Sequence, residues 1–488
     1  MSAPQTTRRR VGPFNRVEGD LEVTLDIVSG KVAAAYVNSP MYRGFEQILQ
    51  GKSPADALTL VPRICGICSV AQSAAAAMAL ADAAGIAPPL NGRLAANLTL
   101  AVENVADHLT HFYMYFMPDF ARADYAQRFW YADTASRFRA VSGSATDEFL
   151  GARAKFMEMM GLLAGKWPHT LAVQPGGSTR PLQGSEVIRL QRNVREFRRF
   201  LETVVFAAPL ESFSAIASRE ALSAWHGEIP GDKGGDLRRF LSIADDLDLW
   251  QLGRSVDRYM SYGAYVEESG HLFPSGVWSA GLRALDVGLI GEDTSHGWYA
   301  PTGFAPHPSE GGTVPMADRP EAYSWCKAPR LGGQVVETGA LARQLIAGHP
   351  LVADVVSSFG GSVAARVVAR MLEVARVVPA MEAWLQQLQP GQIYCIEVPL
   401  AEDTAGVGLI EAARGSLGHW LTVRRGRIHN YQIIAPTTWN FSPRDAQGQP
   451  GALEQAIAGL AVSENGPVPA LIHHVVRSFD PCMVCTVH

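Results

Sequence analysis

The stretch Asp480-Pro481-Cys482-Met483-Val484-Cys485-Thr486-Val487-His488 puts two thiols, a proline and a histidine in the last nine positions of the chain. Chain ends are usually frayed and tolerant of change, so such a cluster needs a reason, and metal ligation is the first to weigh. Thiolates are the ligating form, and two cysteines three positions apart can aim both sulfurs at one ion. A lone CxxC would fit a redox pair or half of a zinc site equally well. Arg63-Ile64-Cys65-Gly66-Ile67-Cys68 repeats the spacing near the front. If the two ends of the chain meet, four soft ligands converge.

Working outward, the other residues limit what the chain can be. Its 488 residues allow a large core and, by length alone, about two to four domains. With 42 basic against 47 acidic residues, there is no electrostatic case for nucleic acid or an anionic membrane surface. Charged residues are 18% and hydrophobic ones 47%, which suits either a big core or a large partner interface. Six cysteines are too few for a disulfide framework, and four of them stand in CxxC pairs, so a reducing, cytoplasmic compartment is expected. Cys326 and Cys395 stand alone and read as small buried hydrophobes. Arg8-Arg9-Arg10 is followed by Val11-Gly12-Pro13-Phe14 rather than an apolar run, so it is no export signal. Ile64 to Ala81 is uncharged but alanine-rich and broken by Cys, Gln and Ser. It reads as a buried helix, and no membrane insertion is expected.

In chain order, Leu21, Val23, Leu25 and Ile27 alternate with polar residues, Ser29-Gly30 turns the chain, and Val32, Ala34 and Tyr36 alternate again, predicting a hairpin. Leu94, Leu98, Val102, Val105, Leu109 and Phe112 step by three and four and predict a helix bearing Asp107, His108 and His111. Helical patterns run on to about residue 265, with Gly and Pro breaks near 174 to 181 and 228 to 235. Residues 270 to 335 read as irregular. Val363, Val367, Met371, Val374, Val378, Met381 and Leu385 predict a second helix, bent at Pro379. A last hairpin turns at Arg425-Gly426. The fold expected is α+β, a helical core with β hairpins at both ends, wound as one unit from residues 1–62, 63–268, 269–357, 358–390 and 391–488.

RICGIC at the front and DPCMVC with His488 at the back resemble the large subunit of nickel-iron hydrogenases. Arg16-Val17-Glu18-Gly19, the Met41 to Glu46 run, Asp107-His108-Leu109-Thr110-His111-Phe112-Tyr113, Tyr323 to Arg330, Glu411 to His419 and Ala435-Pro436-Thr437-Thr438-Trp439-Asn440 extend the resemblance over nearly the whole chain. It implies nickel on Cys65, Cys68, Cys482 and Cys485. Cys68 and Cys485 would bridge to an iron carrying two cyanides and one carbon monoxide. Soft thiolates suit both metals, whereas spacing alone favours a four-cysteine zinc site. Splitting hydrogen needs a Lewis acid and a base. The resemblance implies Cys482 as the base and Glu18 as the proton relay. It places Arg414 over the open metal position with Asp107 and Asp480 beside it, and Thr437 or Thr438 donating to cyanide. Glu46, His488 and the Ile434 carbonyl match a magnesium site.

Gln72 stands where the family usually has histidine. Glutamine cannot titrate, so any hydrogen bond it makes to the metal site will not switch with pH. Hydrogen-sensing members look like this, and the end at His488, without a cleavable extension, resembles them too. The expected function is therefore H2 splitting at low turnover, as a sensor. The competing readings are an energy-conserving uptake hydrogenase and a zinc-stapled, non-enzymatic scaffold. No iron-sulfur motif remains once the four cysteines are assigned, so a small subunit bearing iron-sulfur clusters is expected. The sensor reading adds a signalling partner such as a histidine kinase.

Overall fold

A computed structural model describes residues 6–229, 231–463 and 469–486. The α+β class holds, with a helical centre and small antiparallel sheets at both ends. Glu22–Val28 and Lys31–Asn38 form the expected hairpin, turning at Ser29 and Gly30 with φ of 52° and 73°, and Val23, Leu25 and Ile27 point into the core. A third strand, Thr6–Val11, lies against Glu22–Val28 and was not expected. Its arginines hide it: on this edge strand Arg8 forks onto Asp26 at 2.7 and 2.9 Å.

The long helices are Ser69–Ala84, Leu90–Thr110, Ser144–Ala164, Gly184–Phe200 and Val363–Gln387, the last continuing through Pro379. Leu90–Thr110 runs on into a wide helical turn over His111–Phe116. The helices stop earlier than expected. After Gly235–Asp246 the chain makes short strands at Tyr259–Ser261, Ala264–Glu267 and Gly270–Phe273. Gly263 at φ 92° and Tyr265 at φ 61° lie outside helical conformation, so the aromatic-rich run there becomes a hairpin. Residues 270 to 335 are irregular, as expected, apart from strands of two to four residues and one helical turn at Val287–Leu289. Cys326 is buried, whereas Cys395 is partly exposed, against expectation, because it lies in the strandless connection before Thr404.

The C-terminal sheet is a meander of Thr404–Ala412, Gly415–Arg424 and Arg427–Ile434, turning at Arg425 and Gly426 as expected. Helix Ser69–Ala84 lies directly on its first strand. A Cβ at Gly408 would stand 1.9 Å from the Ala75 carbonyl oxygen, so only glycine permits this approach. Gly408→Ala is expected to destabilise the protein by about 3 kcal/mol through forced separation of helix and sheet, read as a lowered thermal midpoint.

The two ends of the chain interlock. Glu18 bridges Cys482 in parallel, Val32 N–H donates to the Leu460 carbonyl at 2.9 Å, and the Ser39 and Thr486 hydroxyls meet at 2.8 Å. One apolar core spans residues from every region, among them Leu25, Val102, Met371, Ile433 and Val476. No helix among the described residues is long and apolar enough to cross a membrane.

Candidate metal centre

Cys65 ends the short turn Val61–Ile64, and Cys68 is the residue on which helix Ser69–Ala84 starts. Cys482 precedes and Cys485 ends the turn Met483–Cys485, which follows helix Ala470–Ser478 after a bend at Asp480, φ 57°. All four are buried, and their sulfurs lie within 4.8 Å of one another. Cys65 and Cys482 Sγ are 3.4 Å apart, Cys68 and Cys485 3.2 Å, and Cys482 and Cys485 2.9 Å. Hydrogen bonding from Cys482, then from Cys485 and Cys68, holds the Cys65 thiol well below the ordinary range. The convergence expected from the two motifs is therefore present. Four thiols this close in an apolar interior suit a soft metal or metal pair that takes them as thiolates.

Arg414 follows the first strand of the C-terminal sheet and is buried beside the sulfurs. It forks onto Asp107, bonds Asp480 Oδ1 at 3.1 Å through Nη2, and donates from Nε to the Asp480 carbonyl at 3.1 Å. Burial pushes the Asp107 carboxyl up while Arg414 opposes it. At Asp480 burial again pushes the carboxyl up, but Arg414 together with His111, Arg370 and His108 outweighs it and holds the group below its ordinary value. A lysine cannot make this planar three-way contact. Arg414→Lys is expected to destabilise the protein by about 1.5–3 kcal/mol through lost charge-assisted hydrogen bonding, read as a lowered thermal midpoint.

Glu18 is half-buried. Its carboxyl is raised by burial first and by nearby Cys65 next, with Arg414 and Arg43 opposing. Its backbone carbonyl accepts from Met483 N–H at 2.7 Å. The next residue, Gly19, has φ 80°, and a Cβ there would meet Val484 N at 3.0 Å. The glycine of the RVEG motif thus lets the loop carrying Glu18 lie against the second cysteine motif. Arg43 ties both motifs together by donating to the carbonyls of Arg63, Ile64 and Val484.

Thr437 Oγ1 accepts from Cys482 N–H at 3.2 Å. The adjacent Thr438 hydroxyl is buried without a hydrogen-bond partner. Gln72 Oε1 meets His419 Nε2 at 2.9 Å, and His419 Nδ1 meets the Tyr431 hydroxyl at 2.8 Å. Gln72 Nε2 is buried and has no partner, so no hydrogen bond from it to a cysteine sulfur is formed. Glu46 is buried beside the strand ending at Ile434, and its Oε1 accepts from Ile433 N–H at 2.8 Å. Its Oε2 faces Lys327 Nζ at 3.1 Å and the Thr313 hydroxyl. His488 lies outside the described residues.

Sequence reading missed three groups that touch this region: His419, Arg43 in its clamping role, and Glu103. Glu103 is buried, and that burial pushes its carboxyl up to about 8 against the pull of its N–H donors. Only the partners of these residues reveal them, and those partners are remote in sequence.

The family model for nickel-dependent hydrogenase matches residues 43–147 and 239–488. The chain is 29% identical to the periplasmic [NiFeSe] hydrogenase large subunit of Desulfomicrobium baculatum, over 98% of this chain and 94% of that one. It is 26% identical to the hydrogenase-2 large chain of Escherichia coli over 99% and 97%. The uptake hydrogenase large subunit of Azotobacter chroococcum is 27% identical over 98% and 94%. A solved [NiFeSe] hydrogenase structure from Dm. baculatum superposes with a TM-score of 0.85 at 28% identity, covering 99% of this chain and all of that one. One from D. vulgaris Hildenborough gives 0.82 at 28%, with the same coverage. With its two cysteine motifs joined in one buried cluster, the chain belongs to the nickel-dependent hydrogenases, as a large subunit and a hydrogenase enzyme.

Proposed function

We propose that the chain splits H2 heterolytically at a nickel-iron centre held by Cys65, Cys68, Cys482 and Cys485. The observation that carries this is the meeting of four sulfurs from opposite ends of the chain within 4.8 Å. When bound, the metal pair supplies the Lewis acid that polarises H2. The chain's own residues do the rest. Cys482 Sγ takes the proton, and Glu18, tied by backbone to Cys482 and Met483, carries it toward the surface. Arg414, fixed by Asp107 and Asp480, holds a positive charge beside the sulfurs. The unpartnered Thr438 hydroxyl fits an acceptor such as a cyanide nitrogen, and Thr437 steadies Cys482. An infrared spectrum of the purified complex tests the centre: bands from metal-bound carbon monoxide and cyanide are expected, and their absence together with bound zinc defeats the reading.

Magnesium at Glu46, the Ile434 carbonyl and His488 is part of the same proposal. Glu46 is a buried hard-oxygen donor as such a cation requires, but Lys327 already faces it with one positive charge. Among the described residues the remaining two cysteines stand singly, so electrons leave through another chain, and we propose a small subunit bearing iron-sulfur clusters. The interlocked ends support one intertwined unit over residues 1–488.

Full-length similarity to a periplasmic and an uptake hydrogenase supports hydrogen oxidation feeding an electron chain. Gln72 supports a second reading, a low-turnover sensor signalling to a partner such as a histidine kinase. Its amide is locked to His419 on one side and unpartnered on the other. Hydrogen-dependent dye reduction separates the two, since fast turnover defeats the sensor. A cytoplasmic home is likewise proposed, but thiols committed to metals argue less for a reducing compartment than free ones do. Cell fractionation tests it.

A further inference from the structure

Helix Ser69–Ala84 begins on Cys68, whose side chain gives its own helix no cap. The N–H groups of the first turn are deep inside the protein, where an unpaired donor is costly. Serine, aspartate or asparagine ordinarily answers that need from the N-cap position itself. Here that position is a cysteine committed to the metal centre, and the acceptor comes from another helix. Glu103, on Leu90–Thr110 and 2% exposed, accepts from Val70 N–H through Oε2 and from Ala71 N–H through Oε1, each at 2.9 Å. Oε2 also takes the Trp167 indole N–H at 2.9 Å and the Ser69 hydroxyl at 3.4 Å.

We propose that Glu103 is a positioning residue for Cys68, a cap supplied from a neighbouring helix that fixes the turn carrying this metal ligand. The same turn holds Cys68 from both sides. Gln72 N–H donates to the Cys68 carbonyl at 3.1 Å, and Cys68 N–H points to Cys65 Sγ at 3.4 Å. Displacing the Val70 and Ala71 amides therefore displaces Cys68 relative to Cys65 and Cys485. The inference rests on the proposed reading of Cys68 as a metal ligand.

Glu103→Gln is the direct test. Donors sit on both carboxyl oxygens, so either orientation of the amide turns its NH2 group against a backbone N–H. Trp167→Phe is the control, since it removes the indole donor and leaves both backbone amides capped. In the purified complex, at a pH above the carboxyl's raised pKa, the E103Q variant is expected to retain nickel and iron but to show displaced carbon monoxide and cyanide bands. The W167F bands should stay at the parent position. E103Q bands superimposable on the parent's, at equal metal content, overturn the proposal. If E103Q does not accumulate, Glu103→Asp is read the same way, because its retracted carboxylate keeps the charge but reaches only one amide. A parent without such bands defeats the proposed function instead. The cap is then judged by amide hydrogen exchange, where Val70 and Ala71 exchanging no faster in E103Q than in the parent overturns it.

Discussion

Glu18→Gln leaves nickel and iron in place and cuts hydrogen-dependent dye reduction roughly 100- to 10,000-fold, the range that a positioned proton-transfer group contributes. Glutamine keeps the shape of the side chain and its hydrogen-bonding capacity but cannot carry a proton. The size of the effect follows from position. Glu18 is half-buried, and its backbone is bridged to Cys482. Burial raises its carboxyl, which brings it closer to a group that both accepts and releases a proton near neutrality. The measurement is turnover per bound nickel, alongside exchange of D2 with water, and both are expected to fall together. Full exchange activity in the variant would remove Glu18 from the proton route. The infrared bands should stay where they are in the parent, since no backbone atom needs to move.

Cys485→Ser is expected to abolish the activity by preventing assembly of the centre. A hydroxyl is a hard, weakly acidic donor that does not replace a thiolate on a soft metal. Partners that merely orient a ligand are worth about 10- to 100-fold in metal affinity, so loss of a ligand should exceed that. Nickel per chain, measured by elemental analysis, should drop to background and the carbon monoxide and cyanide bands should vanish. The fold should survive. Cys485 belongs to a core built from every region of the chain, and one oxygen for one sulfur leaves that core intact. An unchanged far-ultraviolet circular dichroism spectrum with no bound nickel is the expected pair of results. A variant that still holds nickel and turns over hydrogen would dismiss Cys485 as a ligand.

Local periodicity made the hairpins at Ser29-Gly30 and Arg425-Gly426 legible, since both turns need positive φ and each ends in glycine. It also made the helices around Leu98 and Met371 legible, because each carries an apolar stripe. It failed where local signals conflict. Thr6–Val11 carries the polar residues of an edge strand, and the run near residue 265 kept an apolar density that helices and buried hairpins share.

The residue types and the repeated CxxC spacing determined the chemistry: soft ligands at both ends of the chain and, through the surrounding motifs, the family. They left open whether those ends meet, since each pair alone also fits a redox couple; the fold brings the four sulfurs together. How they meet was decided only in three dimensions. Gly408 admits the helix to the sheet, Arg43 clamps the two motifs, Arg414 joins Asp107 to Asp480, and Glu103 caps the turn that holds Cys68. Each of these is a contact between residues far apart along the chain. No pattern of neighbours encodes such a contact, since it depends on which buried donor is left without an acceptor once the core has closed.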